Sequence, residues 1–93
     1  MKYVIVEATK PDSSLKVELP LVFSNFMVHA DMAEALSKVL LEKHGFESKP
    51  VAAGEYNIIS GSCHGRSTTL NLASRGNVDE QVINLNDYGF GYL

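Results

Sequence analysis

Between Cys63 and Arg75 the chain gathers the residue types of an active site. The stretch reads Cys63-His64-Gly65-Arg66-Ser67-Thr68-Thr69-Leu70-Asn71-Leu72-Ala73-Ser74-Arg75. It holds the only cysteine, one of three histidines and both arginines. A thiol nucleophile needs a base beside it and a lowered pKa. In an extended strand, neighbouring side chains point to opposite faces, so Cys63 and His64 would not meet. No catalytic residue is assigned, and Cys63 is expected as a small buried apolar side chain. Metal chemistry has no ligand motif. His29 and His44 lie at opposite ends of one predicted helix, about 22 Å apart, and no tight Cys/His spacing exists elsewhere. No metal and no cofactor is expected. Anion binding is more credible, because an arginine can grip a phosphate or carboxylate with two parallel bonds. His64, Arg66 and Ser67 are the candidates. Alternation places His64, Arg66 and Thr68 on the face of Leu70 and Leu72. If that register runs unbroken, Arg66 lies over the core and needs a carboxylate partner. If it breaks at Gly65, Arg66 is free to meet solvent or a ligand.

The elements that must position this segment follow from periodicity. Residues 3–8 are apolar and β-branched and predict a strand. Lys10-Pro11-Asp12-Ser13-Ser14 is a turn. Leu15, Val17, Leu19, Leu21 and Phe23 then alternate with Lys16 and Glu18, a strand with one solvated face. Pro20 lacks a donor and marks that strand as an edge. Residues 24–28 form an apolar connector expected to lie over the core. A helix over residues 30–44 buries Met32, Ala33, Leu36, Val39 and Leu40. Asp31 and Glu34 fit a capping box, and Gly45 fits a left-handed C-terminal cap. Leu41 falls off the stripe. Residues 51–60 are a strand with a parity shift, read as a bulge, at Gly54, its inward residues being Val51, Ala53, Tyr56 and Ile58. Ser60-Gly61-Ser62 turns the chain, and residues 63–72 return as the hairpin partner. Asn77 to Glu80 is a second capping box, opening a short helix over 78–86. The fold class is α+β: a small antiparallel sheet of about four strands in the order β-β-α-β-β-α, with both helices on one face.

Size and charge limit the function. Ninety-three residues with ordinary apolar and charged content make a single α+β domain, 1–93, with an aromatic and glycine C-terminal tail, 87–93. No apolar run reaches membrane-spanning length, so no membrane partner is expected. One cysteine makes no internal disulfide, which fits a cytoplasmic location. The net charge of −3 comes wholly from residues 76–93, where Asp79, Glu80 and Asp87 face no Lys or Arg. The lysines elsewhere are interleaved with acids, so nucleic acid as a partner is disfavoured. In extended form Tyr88, Phe90 and Tyr92 of the tail would face one way and add a strand to this sheet or to a partner's edge. With Leu41 they are the interface candidates.

The pattern Cys63-His64-Gly65-Arg66-Ser67-x-Thr69-Leu70-x-Leu72-x-Ser74-Arg75, followed by Asp79-Glu80, resembles that of small proteins encoded by bacteriophages and prophages. Their stretch reads C-x-G-x-S-x-S-L-x-L-x-S-R before an acidic helix start. Ala53-Gly54 and His29-Ala30-Asp31 are similar too, and the resemblance spans residues 17–83. It implies a phage-type origin and a bacterial host cytosol, and it implies no activity. The expected function is therefore a non-enzymatic accessory protein acting by protein–protein interaction, including self-association as a homodimer. The alternatives are an acidic inhibitor of a host nucleic-acid enzyme, mimicking phosphates with Asp79, Glu80 and Asp87, and a small anionic-ligand binder using residues 63–69.

Overall fold

A computed structural model describes the backbone of residues 1–90 and the side chains of residues 1–85. Strands β1 (Lys2–Thr9) and β2 (Lys16–Phe23) form the expected hairpin, paired from Lys2↔Phe23 to Thr9↔Lys16. Helix α1 (His29–His44) carries the chain to β3 (Glu47–Asn57), which pairs antiparallel with the other side of β1. Strand β4 (Ser62–His64) closes the sheet against the end of β3. Among the described residues the sheet order is β2-β1-β3-β4, so β2 is an edge strand, as Pro20 requires. A small separate hairpin, β5 (Arg66–Ser67) with β6 (Leu72–Ala73), leads into α2 (Asn77–Phe90).

The two helices cover opposite faces of the sheet, not one face. Alternation along β1 sends Val4, Val6 and Ala8 to one side, where they pack with Ala33 and Leu40 of α1. Tyr3 and Ile5 go to the other side and pack with Ile83 and Val82 of α2. The run Tyr3-Val4-Ile5-Val6 is therefore buried throughout. Such a run without polar alternation is the signature of a strand covered on both faces, and it stands in the sequence.

Several boundaries differ from expectation. Strand β3 begins at Glu47 and ends at Asn57, so Ile58 and Ile59 lie in the following turn. Its bulge falls at Val51, opposite the step from Ile5 to Val6, three residues before Gly54. Val51 and Ala52 consequently share the α2 face. Gly54 is needed for close approach instead. A Cβ there would collide with the backbone carbonyl of His64 and crowd Tyr3 Cε1 at 3.3 Å. On α1, Val39 is half exposed and outside the core, and so is Leu15 ahead of β2. Gly45 takes the left-handed cap at φ 70°, its N–H and that of Phe46 donating to Leu41 O and Leu40 O. The predicted capping box of α1 does not form; Val28 occupies the N-cap with no side-chain acceptor. Helix α2 runs to Phe90, so the backbone of residues 87–90 is helical rather than an extended tail. The side chains of Tyr88 and Phe90, and Tyr92 altogether, lie outside the described residues.

Candidate functional site

The segment 63–75 does not form one strand. Gly65 adopts φ 78°, a left-handed conformation that breaks the register, and the chain folds on into the β5–β6 hairpin. Asn71 turns that hairpin at φ 52°. The break places Arg66 in solvent, where its Nη2 donates to Asn71 Oδ1 at 3.0 Å. Ser67 is buried, and its Oγ accepts from the backbone N–H of Leu70 at 3.1 Å. His64 is exposed beside Glu55, with Nε2 3.5 Å from the carboxylate. The three anion-binding candidates are therefore bonded to three different partners, and Ser67 is buried while Arg66 and His64 are exposed. Leu70 and Leu72 pack on the α1 side of the core, as their spacing predicts.

What the segment does instead is join elements. Thr69 Oγ1, at the hairpin tip, accepts from Ala30 N at 3.2 Å and so satisfies a first-turn donor of α1 that its own N-cap leaves open. At the other end, Arg75 grips Glu18 of β2 with both guanidinium amines, at 2.6 and 3.1 Å. The Arg75 Nε and backbone N–H donate to the two oxygens of Asp79, each at 2.7 Å. Asp79 is 0% exposed, and its third donor is the Tyr3 hydroxyl at 2.5 Å. The second capping box is thus absent: Asp79 anchors α2 to β1, and Glu80 Oε2 accepts from Cys63 N at 3.0 Å. Among the described residues no buried side-chain nitrogen or oxygen lacks a partner.

Cys63 lies at the floor of this network, 7% exposed. Burial pushes its thiol pKa up to about 11, against a bond from Tyr3 that lowers it, with Asp79 and Glu80 adding to the rise. That is the opposite of an activated nucleophile. Burial, then the bond to Asp79, likewise raises the Tyr3 hydroxyl well above its ordinary value. Arg75 is held charged mainly by Glu18. His29 is also structural: its Nε2 donates to Gly54 O at 2.9 Å, and its ring stands edge-on to Phe23. Among the described residues no group of three or more His, Cys, Asp or Glu side chains is placed to hold a metal ion.

The unspent surface lies elsewhere. Strand β1 begins where β2 and β3 end, since Lys2 pairs with both Phe23 and Glu55. The loops 24–28 and 58–61 therefore leave the same end of the sheet, about 10 Å apart across two strand spacings. Both carry large apolar side chains into water. Phe26 is 95% exposed, Ile59 94% and Ile58 65%, with Met27, Val28 and Met1 half exposed beside them. Residues 24–28 were expected over the core and Ile58 was expected inside; both expectations fail here. The sequence does carry a signal for the second, because Asn57 and Gly61 are turn residues bracketing the two isoleucines. Leu41 is exposed as expected, but it lies twelve residues beyond His29, about 18 Å along α1 from this rim. No protein-family model, no curated protein and no solved structure matches this chain.

Proposed function

We propose that this chain is a non-enzymatic accessory protein of the phage type, working in a bacterial host cytosol by binding another protein. The observation that carries this reading is the apolar rim built from Phe26, Ile58 and Ile59 at one end of the sheet. Large apolar side chains gathered in water at one end of a sheet mark an interaction site. The side chains with chemical potential support the same reading, because Cys63, Arg75, Asp79 and Tyr3 are consumed by bonds that hold the fold. Two alternatives have less support. A phosphate mimic would need its acids in solvent, yet Asp79 is buried and Glu80 is tied to Cys63 N. An anion binder would need His64, Arg66 and Ser67 to converge.

A photoreactive amino acid placed at position 26 or 59 tests the proposal in living host cells. On irradiation both positions should give discrete protein adducts. Position 12, an exposed polar site in the β1–β2 turn, should give none. The same adducts at all three positions, or none at 26 and 59, would sink it.

A further inference from the structure

We infer that the protein bound at this rim is a second copy of the same chain, related by a twofold axis. The inference rests on the protein-binding reading above and names its partner. Three features of the rim carry it.

The first is that protrusion and recess lie side by side. Ile59 stands 94% exposed at the tip of its turn. Next to it is an open depression of about 310 Å³ lined by Met1, Glu55, Tyr56, Asn57, Ile58 and His64, with Ile59 itself at its lip. A twofold axis set between Ile59 and this depression seats Ile59 of each copy in the depression of the other. One operation fills both recesses and leaves none over, which is what an isologous interface requires. A heterologous contact would leave one protrusion and one recess unfilled.

The second feature is that the protruding loops are held in place. Asn57 Oδ1 accepts from Ile59 N at 2.9 Å and Ser60 N at 3.1 Å, and Gly61 N donates to Asn57 O at 2.7 Å. Gly61 takes φ 73° to close that turn. The Phe26 loop is built alike: Ser24 Oγ accepts from Phe26 N at 3.3 Å, and Ser24 O accepts from Met27 N at 3.0 Å. Lys2 Nζ then donates to Met27 O at 3.0 Å and ties this loop to β1. Loops already ordered lose little freedom on docking, so their apolar surface converts more fully into affinity.

The third feature is area and charge. Six side chains of this size and exposure present on the order of 700 Å², close to the ~800 Å² per partner of a standard stable interface. Lys2 and Glu55 are cross-strand neighbours at the rim, and His64 sits against Glu55. The patch therefore carries both signs together, so opposite charges can face each other when it meets itself.

Sedimentation velocity across micromolar to millimolar protein decides the matter. The unmodified chain should show a monomer–dimer equilibrium. Ile59→Asp and Phe26→Ser should each weaken it by about tenfold or more, while circular dichroism stays unchanged because both positions are solvent-exposed turns. Leu41→Ser, at the far end of α1, should leave it unaltered. A dimer broken by Leu41→Ser and indifferent to Ile59→Asp would overturn the inference. So would a strict monomer at every concentration. In that second case the crosslinks at 26 and 59 separate the two levels: adducts to a different protein remove only the dimer, and no protein adduct removes the protein-binding reading with it.

Discussion

Asp79 is a carboxylate with no exposure to water, held there by three donors, one of them the Arg75 guanidinium. Removing one member of such a set leaves the others buried and unpaired, which costs more than the set contributes when intact. Asp79→Ala should therefore lower unfolding free energy by about 3–5 kcal/mol, read from urea denaturation. Tyr3→Phe should cost about 1.5–3 kcal/mol. The double variant should lose less than the sum, because the two side chains act on one bond; strict additivity would show that they do not. Cys63 should react with a thiol reagent at neutral pH only as fast as the protein opens, and at the full rate of a free thiol once denatured. The burial of Cys63 was legible in the sequence from residue type alone, since a free cysteine is commonly a small buried apolar side chain; strand parity argued only that it does not meet His64. The role of Asp79 was not. Its local context spells a capping box, while one partner that claims it, Tyr3, lies 76 residues away, and the near one, Arg75, is itself fixed by Glu18, 57 residues from it. Local pattern rules see only the near competitor.

At the scale of elements, the hairpin that looked catalytic is a joint. It caps α1 from one end and delivers Arg75 and Asp79 from the other. Thr69→Ala should destabilise the protein by about 1 kcal/mol, the usual worth of an N-terminal cap, and Thr69→Ser should restore most of it. Loss of stability that serine fails to recover would show that the methyl group, not the hydroxyl, matters. Gly54→Ala should cost about 3 kcal/mol or prevent folding, because the added carbon meets the backbone of β4 and cannot be relieved by a rotamer change. Element type and order followed from period and turn residues as far as β4; from there the single strand expected over 63–72 is three short ones. The side each helix covers did not follow, because the described side chains of α2 offer little apolar area: Ile83 is buried and Val82 half-buried, whereas Val78 and Leu85 are exposed. Polar bonds choose its face, and polar bonds have no periodicity to read.

For the molecule as a whole, the groups beneath α2 tie stability to alkaline pH. The folded chain holds the Cys63 proton up to about 11, while the unfolded thiol releases it near its ordinary 9.0. Between those values the folded state binds more protons than the unfolded one, so stability falls as pH rises. The raised Tyr3 hydroxyl adds a loss in the same direction above its ordinary 10.0. Urea midpoints should be flat from pH 7 to 8.5 and fall steadily beyond about pH 9. Cys63→Ser, which does not titrate in that range, should make the fall shallower and start later. An unchanged onset would mean that the thiol is not the responsible group. The burial of β1 on both sides has a further consequence, for synthesis. Strand β1 is made before α2, and the β1–β2 hairpin can close early, yet Tyr3 and Ile5 keep one apolar face open until α2 arrives some seventy residues later. A nascent chain stopped short of Asn77 therefore displays that face to its neighbours and should aggregate on release, whereas one extended through Phe90 can shield it within its own length.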